Sequence, residues 1–147
     1  MKKNFFIFFV IITFLSVSNL NAIDLTGFGG FDTETQEKIY GISLGWSMFP
    51  FARLELEGFR YVHSPIKNVS GNIVVTFPLK NLRPYLAGGI GYEGEKFDLD
   101  LLSRYRSYGG GVILSMSELL SMRFDYRTLK FKDYKTNRIY AGLFFSF

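Results

Sequence analysis

The last eleven residues, Asn137–Phe147, place Ile139, Ala141, Leu143, Phe145 and Phe147 at every second position and finish on an aromatic side chain. Period two is the side-chain period of a β-strand, so the stretch predicts a final strand with one continuous apolar face. The same alternation recurs upstream in runs of about ten residues, divided by turn-like residues and showing no helical period. A chain built this way has to form a sheet whose apolar faces are all covered.

The runs predict eight strands: Ile23–Asp32, Ile39–Met48, Ala52–Tyr61, Asn68–Phe77, Pro84–Glu93, Arg104–Met116, Leu119–Leu129 and Asn137–Phe147. The second sorts most cleanly, with Tyr40, Ile42, Leu44, Trp46 and Met48 against Gly41, Ser43, Gly45 and Ser47. In the third the parity drifts at Phe59-Arg60-Tyr61, which predicts a bulge. Strands of about 9–11 residues match a tilted crossing of a bilayer. An even number lets the first and last strands meet antiparallel, leaving no unpaired backbone in hydrocarbon. The expected fold is therefore all-β, an eight-stranded antiparallel up-and-down transmembrane β-barrel over residues 23–147.

Charge placement fixes which face is which. A basic side chain turned to lipid near the midplane costs about 2–4 kcal/mol, so Arg123, Asp125 and Arg127 have to point inward. Glu55 and Glu57 point inward from the third strand, which lies across such a barrel from the seventh. These five residues predict a lumen charge network that plugs an interior only wide enough for side chains. On the apolar face, Phe31, Tyr40, Tyr92, Tyr108 and Tyr126 fall at one end of the barrel and Trp46, Phe77 and Phe147 at the other, as two aromatic girdles. The connections at Phe49–Phe51, Pro78–Arg83 and Ser117-Glu118 are expected to be tight periplasmic turns. Those at His63–Lys67, Glu93–Ser103 and Lys130–Thr136 are expected to be longer, charged outer loops.

The amino-terminal segment predicts export. Lys2 and Lys3 precede an apolar core, Phe5–Leu15, too short for a spanning helix of about 20 residues. Residues 1–22 are expected to be a signal peptide cut after Ala22, or after Ser18 behind Ser16-Val17-Ser18. Aromatic residues make up 18% of the chain, a heavy load for a protein in water. The formal charge of +4 includes Lys2 and Lys3, and no cationic run lies along one face, which argues against nucleic acid. The absence of cysteine excludes disulfides, a thiolate metal site and a lipoprotein anchor.

The aromatic closing strand, together with Pro84-Tyr85-Leu86-Ala87-Gly88-Gly89-Ile90-Gly91-Tyr92, resembles the small outer-membrane barrels of the opacity and OmpA-like transmembrane type. The resemblance implies location in the outer membrane of a Gram-negative bacterium and a terminal strand read by the outer-membrane assembly machinery. It also implies a structural, surface-interaction or adhesive role with no chemistry and no cofactor. Lipopolysaccharide is the expected lipid partner, through Arg104, Arg106, Lys130 and Lys132 at the outer rim, and the chain is expected to be a monomer.

Three other readings stand beside this one. A soluble periplasmic barrel binding a lipophilic ligand, as lipocalins do, would turn the apolar faces inward; a passive pore would need a wider lumen. A lipid A-modifying hydrolase would need a histidine and a serine acting together, and His63 and Ser64 are adjacent, so they point oppositely in extended chain. Three pattern matches have plainer explanations. Gly89-Ile90-Gly91-Tyr92-Glu93-Gly94 has dinucleotide spacing but lies inside a predicted strand with no helix after it. Ser115–Glu118 spells a capping box ahead of a period-two run, and Asn68-Val69-Ser70 is a sequon by pattern only. One histidine and scattered carboxylates predict no metal site.

Overall fold

The computed structural model describes residues 23–95 and 102–147. The expected signal peptide and its cleavage site lie outside the described residues. Eight strands follow in order: β1 Ile23–Asp32, β2 Lys38–Phe49, β3 Ala52–Tyr61, β4 Lys67–Thr76, β5 Leu82–Gly94, β6 Ser103–Ser115, β7 Leu120–Lys130 and β8 Lys135–Ser146. Each pairs antiparallel with its chain neighbours, and β1 pairs with β8 from Asp24↔Ser146 to Asp32↔Arg138, which closes the barrel. Ile23 and Phe147 exchange two further backbone bonds at the seam, 3.3 and 3.0 Å long.

Closure satisfies the backbone, and the alternation then decides what faces where. Leu56, Phe124 and Phe145 are 48%, 39% and 37% exposed on the outer surface, whereas Glu55 and Arg123 are 1% and 0% exposed inside. A soluble ligand-binding barrel requires the reverse arrangement. Inward glycines let the sheet curve closely onto itself: a Cβ on Gly89 would sit 2.0 Å from the Gly71 carbonyl oxygen, so no larger residue fits there.

The bulge expected at Phe59-Arg60-Tyr61 is absent. The β2–β3 register runs without interruption from Ile39↔Tyr61 to Ser47↔Arg53 and slips only between Ser47 and Phe49, beside the turn at 50–51. Phe59 and Tyr61 keep the inward parity of Arg53, Glu55 and Glu57. The interior accepts the Phe59 ring because Gly41, directly opposite, has no side chain; a Cβ there would meet Phe28 at 2.6 Å and Phe59 at 2.7 Å.

Several strands begin earlier than the alternation suggests, at Leu82, Ser103 and Lys135, so the connection after β7 shortens to 131–134. The connections at the two ends therefore differ less in length than expected. Those at one end are 50–51, 77–81 and 116–119, and those at the other are 33–37, 62–66, 95–102 and 131–134. Composition separates the ends better. Phe49, Phe51, Phe77, Leu79, Met116 and Leu119 stand exposed around the first. The interior holds two apolar clusters, one toward the loops that includes Phe28, Phe59, Tyr61, Tyr105, Leu129 and Tyr140, and a smaller one toward the turns built from Val74, Tyr85, Ala87, Ile113 and Phe144.

Candidate functional site: the charged lumen and the cationic rim

Between the two apolar clusters lies a belt of buried charge contributed by strands on opposite walls. Arg123 of β7 grips Glu55 of β3 through both terminal nitrogens, Nη1 to Oε2 and Nη2 to Oε1 at 3.1 Å. Its Nη2 also reaches Asp125 at 3.1 Å, and its Nε donates to the Tyr85 hydroxyl at 2.8 Å. That hydroxyl donates in turn to Asp125. Arg127 bridges Asp125 at 2.7 Å and Glu57 at 3.4 Å. All five sequence-predicted lumen residues thus lie in one connected cluster.

The belt extends beyond those five. Arg138 of β8 binds Glu57, which also accepts from the Tyr140 hydroxyl at 3.3 Å. Arg53 spans Asp24 and Glu55, each at 3.6 Å. Four arginines, Arg53, Arg123, Arg127 and Arg138, therefore face four carboxylates, Asp24, Glu55, Glu57 and Asp125. The formal charges balance, which a closed interior of low dielectric demands. Aromatic faces take up the guanidinium planes as well: Arg138 lies 4.5 Å from the Phe59 ring centre and Arg53 4.8 Å from that of Phe144. Arg53 and Arg138 were legible by parity alone, since both occupy inward positions of strands whose apolar faces are unmistakable.

At the loop end, Asp32 ties the mouth together by accepting from Thr136 Oγ1 at 2.6 Å and from the Tyr61 hydroxyl at 3.2 Å. Tyr134 in the 131–134 connection stacks on Phe131, rings 4.3 Å apart, and donates to Glu93 at 3.0 Å. Partial burial, and then the Glu93 carboxylate, hold the Tyr134 hydroxyl above the usual phenol range.

The outer surface near this mouth is cationic. Arg106 of β6 sits directly opposite Lys130 of β7, and Lys130 opposite Lys135 of β8, three positive residues in one cross-strand row. Arg104, Arg106, Lys130 and Lys132 line one groove of about 450 Å³ with Tyr105 and Phe131. Lys135, absent from the sequence expectation, joins this row because β8 begins two residues earlier than the alternation suggests. The girdle residues Phe31, Tyr40, Tyr92, Tyr108 and Tyr126 all face outward, between 43% and 50% exposed. Trp46, Phe77 and Phe147 are exposed toward the turn end.

Other candidate motifs resolve without chemistry. His63 is exposed in the 62–66 connection, and Ser64 Oγ accepts from the Ile66 backbone N–H at 3.3 Å. Asn68 of the sequon faces the barrel interior, 1% exposed. Gly89–Gly94 lies within β5, and Ser117 Oγ caps a turn by accepting from the Leu120 N–H at 3.1 Å. Among the described residues, no three histidine, cysteine or acidic side chains come together in a way that could hold a metal ion.

An apolar exterior, a closed antiparallel ladder and a charge-balanced interior define a small transmembrane β-barrel of eight strands. The likenesses to solved structures are to such barrels. The amino-terminal β-barrel domain of Pseudomonas aeruginosa OprF superposes with a TM-score of 0.73 at 19% identity, over 86% of this chain and 98% of that one. Neisserial surface protein A gives 0.63 at 15% identity, over 86% and 95%. The Yersinia pestis outer membrane protein Ail, in a phospholipid bilayer nanodisc, gives 0.60 at 12% identity, over 86% and 99%. Ail also has a crystal structure in complex with the heparin analogue sucrose octasulfate. At these identities the fold is what is shared. No protein-family model matches the chain, and no curated protein matches its sequence.

Proposed function

We propose that this chain is a structural and surface-interaction barrel of the bacterial outer membrane, exported by a leader in residues 1–22 and carrying out no chemistry. The observation that carries the reading is the distribution of charge. Balanced ion pairs fill the middle of the lumen, while the lipid-facing surface is apolar up to a rim of cations beside the loops. Among the described residues such a molecule has no reactive constellation and no wide channel to offer. What it offers is an anchored outer end.

The rim supplies the partner. Arg104, Arg106, Lys130 and Lys132 sit where the phosphates of an outer leaflet would lie, and cations near an anionic surface attract it by about 1 kcal/mol each. Lipopolysaccharide is the lipid that meets them, and the loops above are the surface shown to other molecules. The aromatic rings at both ends hold the barrel at its depth. The closing strand, ending at Phe147, is the segment presented to the assembly machinery.

Membrane fractionation followed by heat-modifiable migration on a denaturing gel tests the reading. The expected result is a detergent-extractable protein in the outer-membrane fraction, migrating as a compact species unless boiled. Recovery from the soluble periplasm without detergent would overturn it in favour of the ligand-binding barrel.

A further inference from the structure

A second cationic site lies on the wall formed by β2, β3 and β4, and it differs in construction from the first. Two cross-strand rows are stacked there on the outer surface. The row nearer the loops runs Tyr40, Arg60, Lys67, and the row beneath it runs Ile42, Gly58, Val69, each residue directly opposite the next. Gly58 leaves a gap between two branched side chains. The result is a lipid-facing groove of about 350 Å³, floored at Gly58, walled by Ile42 and Val69 and topped by Arg60 and Lys67.

Two features of this groove call for an occupant. Arg60 and Lys67 are like charges directly opposite each other, an arrangement that destabilises a sheet unless an anion lies between them. Among the described residues neither forms an ion pair with a carboxylate; Arg60 instead lies over the Tyr40 ring, 5.3 Å from its centre. Gly58 is also not demanded by packing. A Cβ there would come no nearer to anything than 3.8 Å, to the Asn68 carbonyl oxygen, in contrast to inward Gly89. The fold tolerates a side chain at 58, and the gap exists without one.

The row below the first cationic site shows the difference. Beneath Arg106 and Lys130 stand Tyr108 and Thr128, so a ring covers the surface where the second site has its slot. We infer that the β2–β4 site binds a phosphorylated acyl lipid of the surrounding leaflet, its phosphate between Arg60 and Lys67 and one acyl chain along the groove over Gly58. This rests on the outer-membrane reading above, under which that lipid is the lipid A portion of lipopolysaccharide. Charge complementarity selects the phosphate, and the apolar slot directly below selects a molecule that carries its chain with it.

The test uses the full chain extracted in mild detergent, with phosphorylated lipid A, enzymatically dephosphorylated lipid A and inorganic phosphate as probes, read by native mass spectrometry and by titration. Arg60→Gln with Lys67→Gln is expected to weaken phosphorylated lipid A about thirtyfold. Gly58→Leu, which fills the slot and leaves both cations in place, is expected to weaken it several-fold. Dephosphorylated lipid A should bind the unmodified protein no better than phosphorylated lipid A binds the double variant, and inorganic phosphate should not displace the lipid. Unchanged binding by Gly58→Leu would refute the slot, and displacement by phosphate alone would make the site one for free anions. Both variants must migrate as compact, heat-modifiable species. If unmodified protein is not membrane-bound, the outer-membrane reading fails and this site with it; if it is, insensitivity of the variants removes the site alone.

Discussion

Arg123 and Glu55 meet across the lumen through two parallel bonds, joining β7 to β3 over a sequence separation of 68 residues. Removing one partner of a buried pair strands the other charge, at about 3–5 kcal/mol. Arg123→Met is therefore expected to destabilise the folded barrel by that amount in urea unfolding from detergent micelles. The double replacement Arg123→Met with Glu55→Met restores neutrality and should recover most of the loss. A single variant as stable as the parent would mean that the ion pair is wetter than its burial implies.

Glycines differ in the room that surrounds them. Gly89→Ala drives a methyl group to within 2.0 Å of the Gly71 carbonyl oxygen, whereas Gly27→Ala meets nothing within 4 Å. The first is expected to cost at least about 1–3 kcal/mol and to lower the yield of heat-modifiable species. The second should fall within about 0.5 kcal/mol of the parent. Equal effects would show that strand propensity, not close approach, governs these positions.

The lumen chemistry sets the expected conductance. Glu57 and Arg138 belong to the buried charge belt, and replacing both with alanine opens a gap in it while conserving net charge. Planar-bilayer recordings of the parent should show no large stable steps, and the double variant should show small, resolvable ones. Large steady steps in the parent would revive the passive pore.

The cationic rim gives a salt-dependent signature. Converting Arg104, Arg106, Lys130 and Lys132 to glutamine should reduce co-purified lipid phosphorus, with each cation contributing about 1 kcal/mol at low salt. The difference should shrink in high salt, because exposed charges are screened over about 10 Å at 0.1 M. Phosphorus content that is the same for both proteins at low salt would remove the rim from lipid recognition.

Strand number, pairing and facing were readable because one physical rule dominates the alternation: across the bilayer span charged side chains go inward and the outward positions are apolar. Glu55 and Arg123 follow from that rule as soon as β3 and β7 are recognised as opposite walls. Phe59 and Tyr61 do not, since an inward ring breaks the rule locally and reads as a slipped register. For Phe59 the room comes from the side-chain-free position at Gly41, brought opposite by pairing. The Arg60–Lys67 site was hidden for a related reason. Neither residue is unusual along the chain, and the slot appears only when register sets Gly58 between Ile42 and Val69.

Ile23 and Phe147 lie side by side, bonded to each other through their backbones. Over residues 23–147 the order of the strands is in that sense a ring with one nick, and the nick need not be there. Joining these two residues with a short linker and cutting between Asp133 and Tyr134 instead would give a circularly permuted barrel with the same neighbours for every strand. Its ends would emerge among the loops, at the opposite end of the barrel from the Ile23–Phe147 seam.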